Sequence, residues 1–515
     1  MTRPTTTGKA QDLITFTRST TGTALAKISY GEELVTNGDF SNGTTGWSGD
    51  GATILSAADN KLLVTNGDNT PAYAVQYIDT VIGERYTFTA DLISTSGSLA
   101  RMLVSGGVID TGATLSAGAQ TITWTATLTS HAIFVANGAN VSTGDVVKWS
   151  NISVKEVLYD RPDGTLQLFN HPINKPRIEY DAEGNCLGLL VEEARTNLLT
   201  YSETFTPQWT TQRLSSQQNA TISPTGENNA VKLIPNTDNS NHYLYQTYSA
   251  GTHTWSVYAK AGEYGRISLW EGGVTAKYTS FDLVNGTKLQ GNADSDSITP
   301  VGNGWYRLTM TITVSSGTPY FLLAALNNEV ISHSVSFSGD GVSGIYIWGA
   351  QLETGSFPTS YIPTSGSAVT RSADVASLAV SEFGYNQGQG TVFINCLITE
   401  QPDFNLRVID GNSNTKRWMY VNAPDNDYGL KYYDGTNNPT LVSSGIPLNM
   451  KAAVAVTPTQ VFGAANSSAV GSGAHNGTLL DISQFNFFST LNGHIKSVQY
   501  YPLRLSNAQL QALTV

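Results

Sequence analysis

Two cysteines in 515 residues, Cys186 and Cys396, rule out a disulfide-stapled scaffold. Far apart and expected to be buried in different domains, they suit synthesis in a reducing compartment. Charge is also scarce, at 13% of residues, which leaves too little to solvate long exposed helices. Acidic side chains outnumber basic ones 40 to 28, giving a net charge of −12. Phosphate backbones require clustered Lys and Arg, so nucleic acid is excluded as a partner and neutral or basic partners are favoured. No apolar run approaches the roughly 20 residues that cross a bilayer, which excludes membrane insertion by a helix. The start, Met1-Thr2-Arg3-Pro4-Thr5-Thr6-Thr7-Gly8, lacks the apolar core of a secretory signal.

Chemical motifs are missing too. The seven histidines are scattered, and no Cys or His pairs fall at zinc-ligand spacing. Despite 49 glycines, there is no Gly-Lys-Ser/Thr phosphate loop and no Gly-x-Ser-x-Gly elbow. The short repeat of a β-helix is absent as well. The adjacent carboxylates Glu192 and Glu193 point to opposite faces of an extended segment and cannot easily flank one glycosidic bond. They are expected to be structural, with Arg195 as a nearby ion partner. The chain is therefore not expected to be an enzyme, and no cofactor is expected. Structural calcium stays open at Asp39 and at Asp425-Asn426-Asp427, because oxygen ligands leave little trace in sequence.

What the chain does contain is Thr, Ser, Asn and Gly in polar turns between alternating segments. Tyr86-Thr87-Phe88-Thr89-Ala90-Asp91-Leu92 and Thr121-Ile122-Thr123-Trp124-Thr125 alternate with period two, the signature of half-buried strands. In Val146 to Val154, Val147, Trp149 and Ile152 face a core if one irregularity intervenes. A second block has candidate strands around Trp255, Tyr264 to Trp270, Tyr278 to Leu283, Trp305 to Val314 and Tyr320 to Ala325, with a hairpin at Asn285-Gly286. Trp255, Trp305 and Trp348 are expected in its core. Both blocks carry Asn and Phe near the start and a Trp-bearing strand at the end. The length suits three or four domains, all of them β.

Three stretches carry a resemblance that covers the frame of the chain. Phe16-Thr17-Arg18-Ser19-Thr20, then Leu189-Leu190-Val191-Glu192-Glu193-Ala194-Arg195-Thr196-Asn197-Leu198-Leu199, then Ile345 to Glu353 with Phe357 to Pro363 and Thr370-Arg371-Ser372-Ala373-Asp374, resemble the head-spike and tail-fibre proteins of tailed bacteriophages. Asn37-Gly38-Asp39-Phe40 with Trp47 and the closing strand resemble jelly-roll carbohydrate-binding modules. The ending Tyr500-Tyr501-Pro502-Leu503-Arg504-Leu505-Ser506 before a short helix is similar to concanavalin-A/laminin-G-like lectin domains. Ser506 and Gln509 have capping-box spacing for that helix.

These resemblances imply tandem β-sandwiches: an arm at 1–32, an inserted jelly-roll module at 33–157, and a Pro-rich connector with one hairpin at Asp163-Gly164 over 158–196. A second jelly roll with an extended linker follows at 197–374, and a concanavalin-A-like domain at 375–515. They imply a protein on the virion surface that adheres to host surface polysaccharide, touches capsid or tail proteins and forms a homo-oligomer, typically a trimer. A purely structural decoration protein is the alternative, and a polysaccharide depolymerase the second.

Sugar rings stack their C–H faces on aromatic side chains, while Asn, Asp and Arg bond the hydroxyls. On that ground the candidate carbohydrate-binding residues are Trp47 in a Gly-flanked loop and Trp270 at a strand end. In the last domain they are Arg417, Trp418, Asn426, Asp427, Tyr428, Tyr432 and Tyr433.

Overall fold

A computed structural model describes residues 14–515 apart from 97–98, 107–108, 113–114, 116, 139–140, 162, 207, 399–402, 411–416, 423–429, 435, 444–448, 476–481 and 488–491; for 403–410, 417–422 and 487 the backbone alone is described. Among the described residues the fold is all-β apart from a 3-10 turn at Val380–Glu382 and one short α-helix at the C-terminal end, Asn507–Leu513. The chain divides into two compact units, one of Lys27–Gln167 with Asn219–Ala230, the other of Met1–Ala26, Leu168–Gln218 and Val231–Val515.

The first unit holds a jelly-roll sandwich. One sheet runs in the order Ser48–Gly49, Tyr73–Asp79, Ser130–Asn137, Ala100–Val104, Ile109–Asp110. The opposing sheet is built on Arg85–Thr95 and Val146–Tyr159, flanked by Gly118–Thr125 and Lys61–Asn66. Leu62, Val64, Phe88, Met102, Ile133, Val135 and Trp149 fill the space between them. The expected irregularity is a register shift between Ser150 and Ser153, with Asn151 at φ 51°. One extra residue there turns Ile152 back inward, so that Val147, Trp149 and Ile152 are all buried.

A second jelly roll lies in the other unit. Its first sheet has the order Thr210–Gln212, Tyr243–Thr247, Tyr320–Leu326, Arg266–Gly272, Tyr278–Asp282, Thr287–Gly291. The second runs Leu214–Thr221, Ala230–Pro235, Ile345–Thr354, Gly251–Ala261, Trp305–Val314, Ser295–Pro300. Trp255, Trp305 and Trp348 are buried as expected. The Asn285-Gly286 hairpin forms because the Asp282 carboxylate accepts the amides of Val284 and Asn285, at 2.9 and 3.0 Å, and Gly286 takes φ 65°.

The same unit contains a concanavalin-A-like sandwich of two seven-stranded antiparallel sheets. Val392, Ile394, Met450, Val454 and Phe485 lie in its core. Its helix begins with the expected capping box: Gln509 N donates to Ser506 Oγ at 3.3 Å and Ser506 N to Gln509 Oε1 at 2.8 Å.

Two boundaries expected from sequence are corrected. The arm is not separate, because Thr15–Thr17 pairs with Val375–Ala379 at the edge of the C-terminal sandwich. Nor is the stretch after Pro176 a mere connector: Arg177–Tyr180 and Cys186–Val191 form a hairpin that pairs with Gly493–Tyr501. Prolines mark where the chain turns, and the residues beyond them are free to join a sheet. Asp163-Gly164 is a turn, with Gly164 N donating to Arg161 O at 2.9 Å; the Gly22–Tyr30 strand lies between the two strands it joins. Cys396 is buried, and burial pushes its thiol up to about 12, whereas Cys186 is exposed.

Candidate functional site

Glu192, the most conspicuous paired carboxylate, is locked into a buried ion cluster. It meets Arg177 Nη2 at 2.8 Å and Arg371 Nη2 at 3.5 Å, and accepts the amide and hydroxyl of Ser360, both at 2.7 Å. Burial alone would raise its carboxyl; Arg371 and Arg177 outweigh burial and hold it well below the usual carboxylate range. Asp374 completes the cluster, bonded to Arg177 and, at 3.1 Å, to Arg18. Burial and the neighbouring Arg177 push the Arg18 guanidinium down to about 10. Glu193 instead pairs with Arg195 at 2.5 Å. The cluster thus fastens the three frame segments together and buries Glu192, whereas the Glu193 side chain is partly exposed. Removing one partner from such a cluster strands a buried charge, which typically costs about 3–5 kcal/mol.

The nominated aromatics divide. Trp47 is 7% exposed, not a loop platform as expected, and its ring lies 5.8 Å from Phe40 in the first core. Gln76 turns the loop inward: its Nε2 donates to the carbonyls of Thr36 and Gly46 at 3.0 Å, and its Oε1 accepts Thr36 N at 2.7 Å. Tyr432 is likewise core, at 2% exposure, with its hydroxyl 2.8 Å from His475 Nδ1. Tyr433 is half-buried on the same strand. Arg417 and Trp418 lie on Arg417–Asn422, whose backbone alone is described, and Asn426, Asp427 and Tyr428 lie outside the described residues. Asp425 is outside them too, while Asp39 is exposed and accepts Ser41 N at 3.2 Å and Ser41 Oγ at 3.0 Å. Those bonds hold the Asp39 carboxyl below its usual range.

An open aromatic face lies on the five-stranded sheet of the first jelly roll. Ala74, Gln76 and Ile78 point into the core, which leaves Tyr73, Val75 and Tyr77 outward. Opposite them across the sheet stand Ala136, Phe134 and Ala132, and Phe134 in turn faces Leu103. Tyr73 and Phe134 meet edge to face at 6.1 Å, while Tyr77 is 75% exposed. Arg101 lies over Tyr73, 5.2 Å from its centroid, and pairs with Asp110 at 3.6 Å. Tyr73 and Tyr77 are four positions apart, roughly 13 Å along the strand, long enough for an extended ligand. A hydrogen-bond donor and an acceptor flank the apolar surface, the arrangement that reads sugar hydroxyls beside a C–H face.

Trp270 sits on the corresponding sheet of the second jelly roll, outward from Ile267 and Leu269. Around it are Tyr243, edge-on at 6.0 Å, and Tyr278 and Leu322 at paired positions. Tyr245 and Tyr320 meet edge to face at 5.4 Å nearby. This face is covered. The segment 327–344 crosses it, Val330 and Phe337 packing with Ala324 and Leu326, and the His333 imidazole stacks on Trp270 at 4.0 Å with 24° between ring planes.

Sequence reasoning singled out Trp270 and passed over Tyr73, Tyr77, Phe134 and Arg101. The signal was present in Tyr73-Ala74-Val75-Gln76-Tyr77-Ile78, where the large side chains at 73, 75 and 77 oppose Ala74 and Gln76. A sandwich strand whose bulk stands opposite its small residues is apolar toward solvent.

No family model matches this sequence, and no curated protein does. Among solved structures, the chain is similar to the tandem CBM22-1–CBM22-2 domain pair of Paenibacillus barcinonensis Xyn10C, at 10% identity over 64% of this chain and 98% of that one, with a TM-score of 0.21. It is also similar to an anti-sigma factor domain-containing protein, at 12% identity over 67% and 99% of the chains, with a TM-score of 0.13.

Proposed function

We propose that this protein is a non-enzymatic adhesin that holds neutral polysaccharide on the aromatic sheet face of its first jelly roll. One observation carries the reading: Tyr73, Tyr77 and Phe134 form an outward aromatic surface, with Arg101 and Asp110 beside it as donor and acceptor. A solitary exposed aromatic needs no explanation, whereas a grouped set rimmed by polar side chains marks a binding surface. The guanidinium and carboxylate largely neutralise each other, which favours uncharged sugars over acidic ones.

The resemblance of the sequence frame supports reading this adhesin as a head spike or tail fibre on the surface of a tailed-phage virion, one that contacts capsid or tail proteins and engages host polysaccharide. Oligomerisation to a trimer would multiply weak sugar contacts through effective concentration. The locked state of Glu192 supports a binding role over hydrolysis. Glycan arrays and cell-adsorption assays with the full chain test the reading: retention on neutral polysaccharide that Tyr77→Ala weakens roughly tenfold to thirtyfold is expected. No retention on any glycan, or release of oligosaccharide, would overturn it. A monomer in mass photometry would remove the oligomer.

A further inference from the structure

We propose that the 327–344 segment is a displaceable strap over a second sugar-stacking face, in which His333 stands where a pyranose ring would lie on Trp270; this rests on the binding role proposed above. The two jelly rolls build this sheet alike. In the first, Ser130–Asn137 lies between Tyr73–Asp79 and Ala100–Val104; in the second, Tyr320–Leu326 lies between Tyr243–Thr247 and Arg266–Gly272. Each sheet turns aromatics outward, and among the described residues only the second has a strap across them.

The strap is pinned by backbone-directed hydrogen bonds at its flanks and held in the middle by one side-chain hydrogen bond and ring contacts. On one side Phe337 and Ser240 exchange two backbone hydrogen bonds, at 3.1 and 3.2 Å, and Phe337 O accepts from His242 Nε2 at 3.0 Å. On the other, Asn328 Oδ1 accepts Gly265 N at 2.7 Å, and Val330 O accepts Arg266 Nη1 at 3.3 Å. Between these anchors Ile331 O accepts Gln290 Nε2 at 3.2 Å, and His333, 8% exposed, makes ring contacts, on Trp270 and edge-on to Tyr278 at 4.8 Å. Its neighbours on the strap, Ile331 and Val335, remain exposed even with the strap closed.

Closure also leaves polar atoms unsatisfied. Among the described residues, His333 Nδ1 and Trp270 Nε1 are both buried without a hydrogen-bond partner. A buried polar group left unpaired destabilises the state that buries it. A sugar replacing the imidazole would keep the apolar stacking on Trp270 and bring hydroxyls to the indole N–H. The ligand class is therefore a neutral pyranose with one C–H face free of hydroxyls, such as a glucoside.

The test labels the full chain with 5-fluorotryptophan, assigns the Trp270 signal by Trp270→Phe, and titrates methyl β-glucoside and a soluble β-glucan. The Trp270 signal should move, with a midpoint at least about tenfold lower in His333→Ala than in the wild type, because the closed strap lowers the competent fraction. Amide exchange across 331–336 in the wild type should quicken when the sugar binds. Equal midpoints, or exchange unchanged or slowed by sugar, would overturn the strap. A Trp270 signal that never moves, while Tyr77-dependent binding persists, would overturn it and leave the first face standing. Silence at both faces would overturn both.

Discussion

The two jelly rolls place aromatics on the same sheet, yet one face is open and the other is covered. In the first, Tyr77 is 75% exposed and the surface ends at the Arg101–Asp110 pair. In the second, Trp270 lies under His333 and the strap is fastened by Phe337. The difference arises in the connection after the central strand. Gly138 to Asp145 lead from Ser130–Asn137 to Val146–Tyr159 in the first sandwich, while residues 327–344 lead from Tyr320–Leu326 to Ile345–Thr354 in the second. A longer connection can fold back over the sheet, and its apolar residues make that worthwhile. A shared architecture therefore does not settle whether a face is available.

The strap's fastening gives the largest expected effect. Phe337→Ala removes a buried ring that joins Ala324 and Leu326, a change that typically costs about 3 kcal/mol or more. If that energy holds the strap shut, exchange of the Ser240 and Phe337 amides should accelerate roughly a hundredfold, while core amides such as that of Leu323 keep their protection. Equal acceleration throughout the sheet would mean that the strap is an integral part of the fold, and the contrast between the faces would lose its meaning.

The open face should respond in affinity and not in stability. Tyr77→Ala removes an aromatic anchor, so retention on neutral polysaccharide should fall roughly tenfold to thirtyfold, about 1.4–2 kcal/mol. Because the side chain is exposed, unfolding should shift by no more than about 0.5 kcal/mol. Affinity chromatography and urea titration of the same preparation distinguish the two. A loss of stability matching the loss of binding would place Tyr77 in the fold and not in the site.

Much of the architecture was legible, because strand alternation and the tryptophans at 149, 255, 305 and 348 are local patterns whose burial follows from period-two geometry. Even the bulge at Asn151 could be anticipated from the inward set Val147, Trp149 and Ile152. Site residues were harder. Trp47 stands among glycines and serine and reads as a loop aromatic, yet Gln76 draws its loop into the core. Nothing near Trp47 records that distant partner. Tyr432 reads as part of a polar aromatic cluster but pairs with His475. The hairpin Arg177–Val191 was hidden by the prolines before it, since its pairing partner lies at Gly493–Tyr501. Local pattern fixes which residues alternate; which of the two faces meets solvent depends on contacts far away in the chain.

Acid should loosen the covered face and leave the open one alone. Burial pushes the His333 imidazole down to about 4 from its ordinary 6.5, and no charged neighbour contributes to the shift. The closed strap favours the neutral ring and the open strap takes up the proton more readily. Closure is therefore fully stable above about pH 6.5 and weakens as the pH falls toward 4. After correction for intrinsic exchange, amides at 331–336 should open on the order of tenfold more often near pH 5 than near pH 7. His333→Ala should flatten this dependence, and a slope that survives the substitution would assign the titration to another group.

The smallest effect belongs to the polar rim of the open face. Arg101 and Asp110 are 3.6 Å apart with partly exposed side chains, and such pairs contribute roughly 0–1 kcal/mol to stability. Their value for a ligand is as a donor and an acceptor beside the rings, so Asp110→Asn, which keeps a carbonyl acceptor, should cost less binding than Asp110→Ala. Arg101→Lys should weaken binding severalfold even though the charge is kept, because an ammonium lacks the planar, multi-donor guanidinium that Arg101 holds over Tyr73. If the face reads neutral sugar hydroxyls, these losses should change little between low and high salt. A steep salt dependence would instead mean that Arg101 attracts a charged ligand, and the open face would then differ from the covered one in ligand class as well as in access.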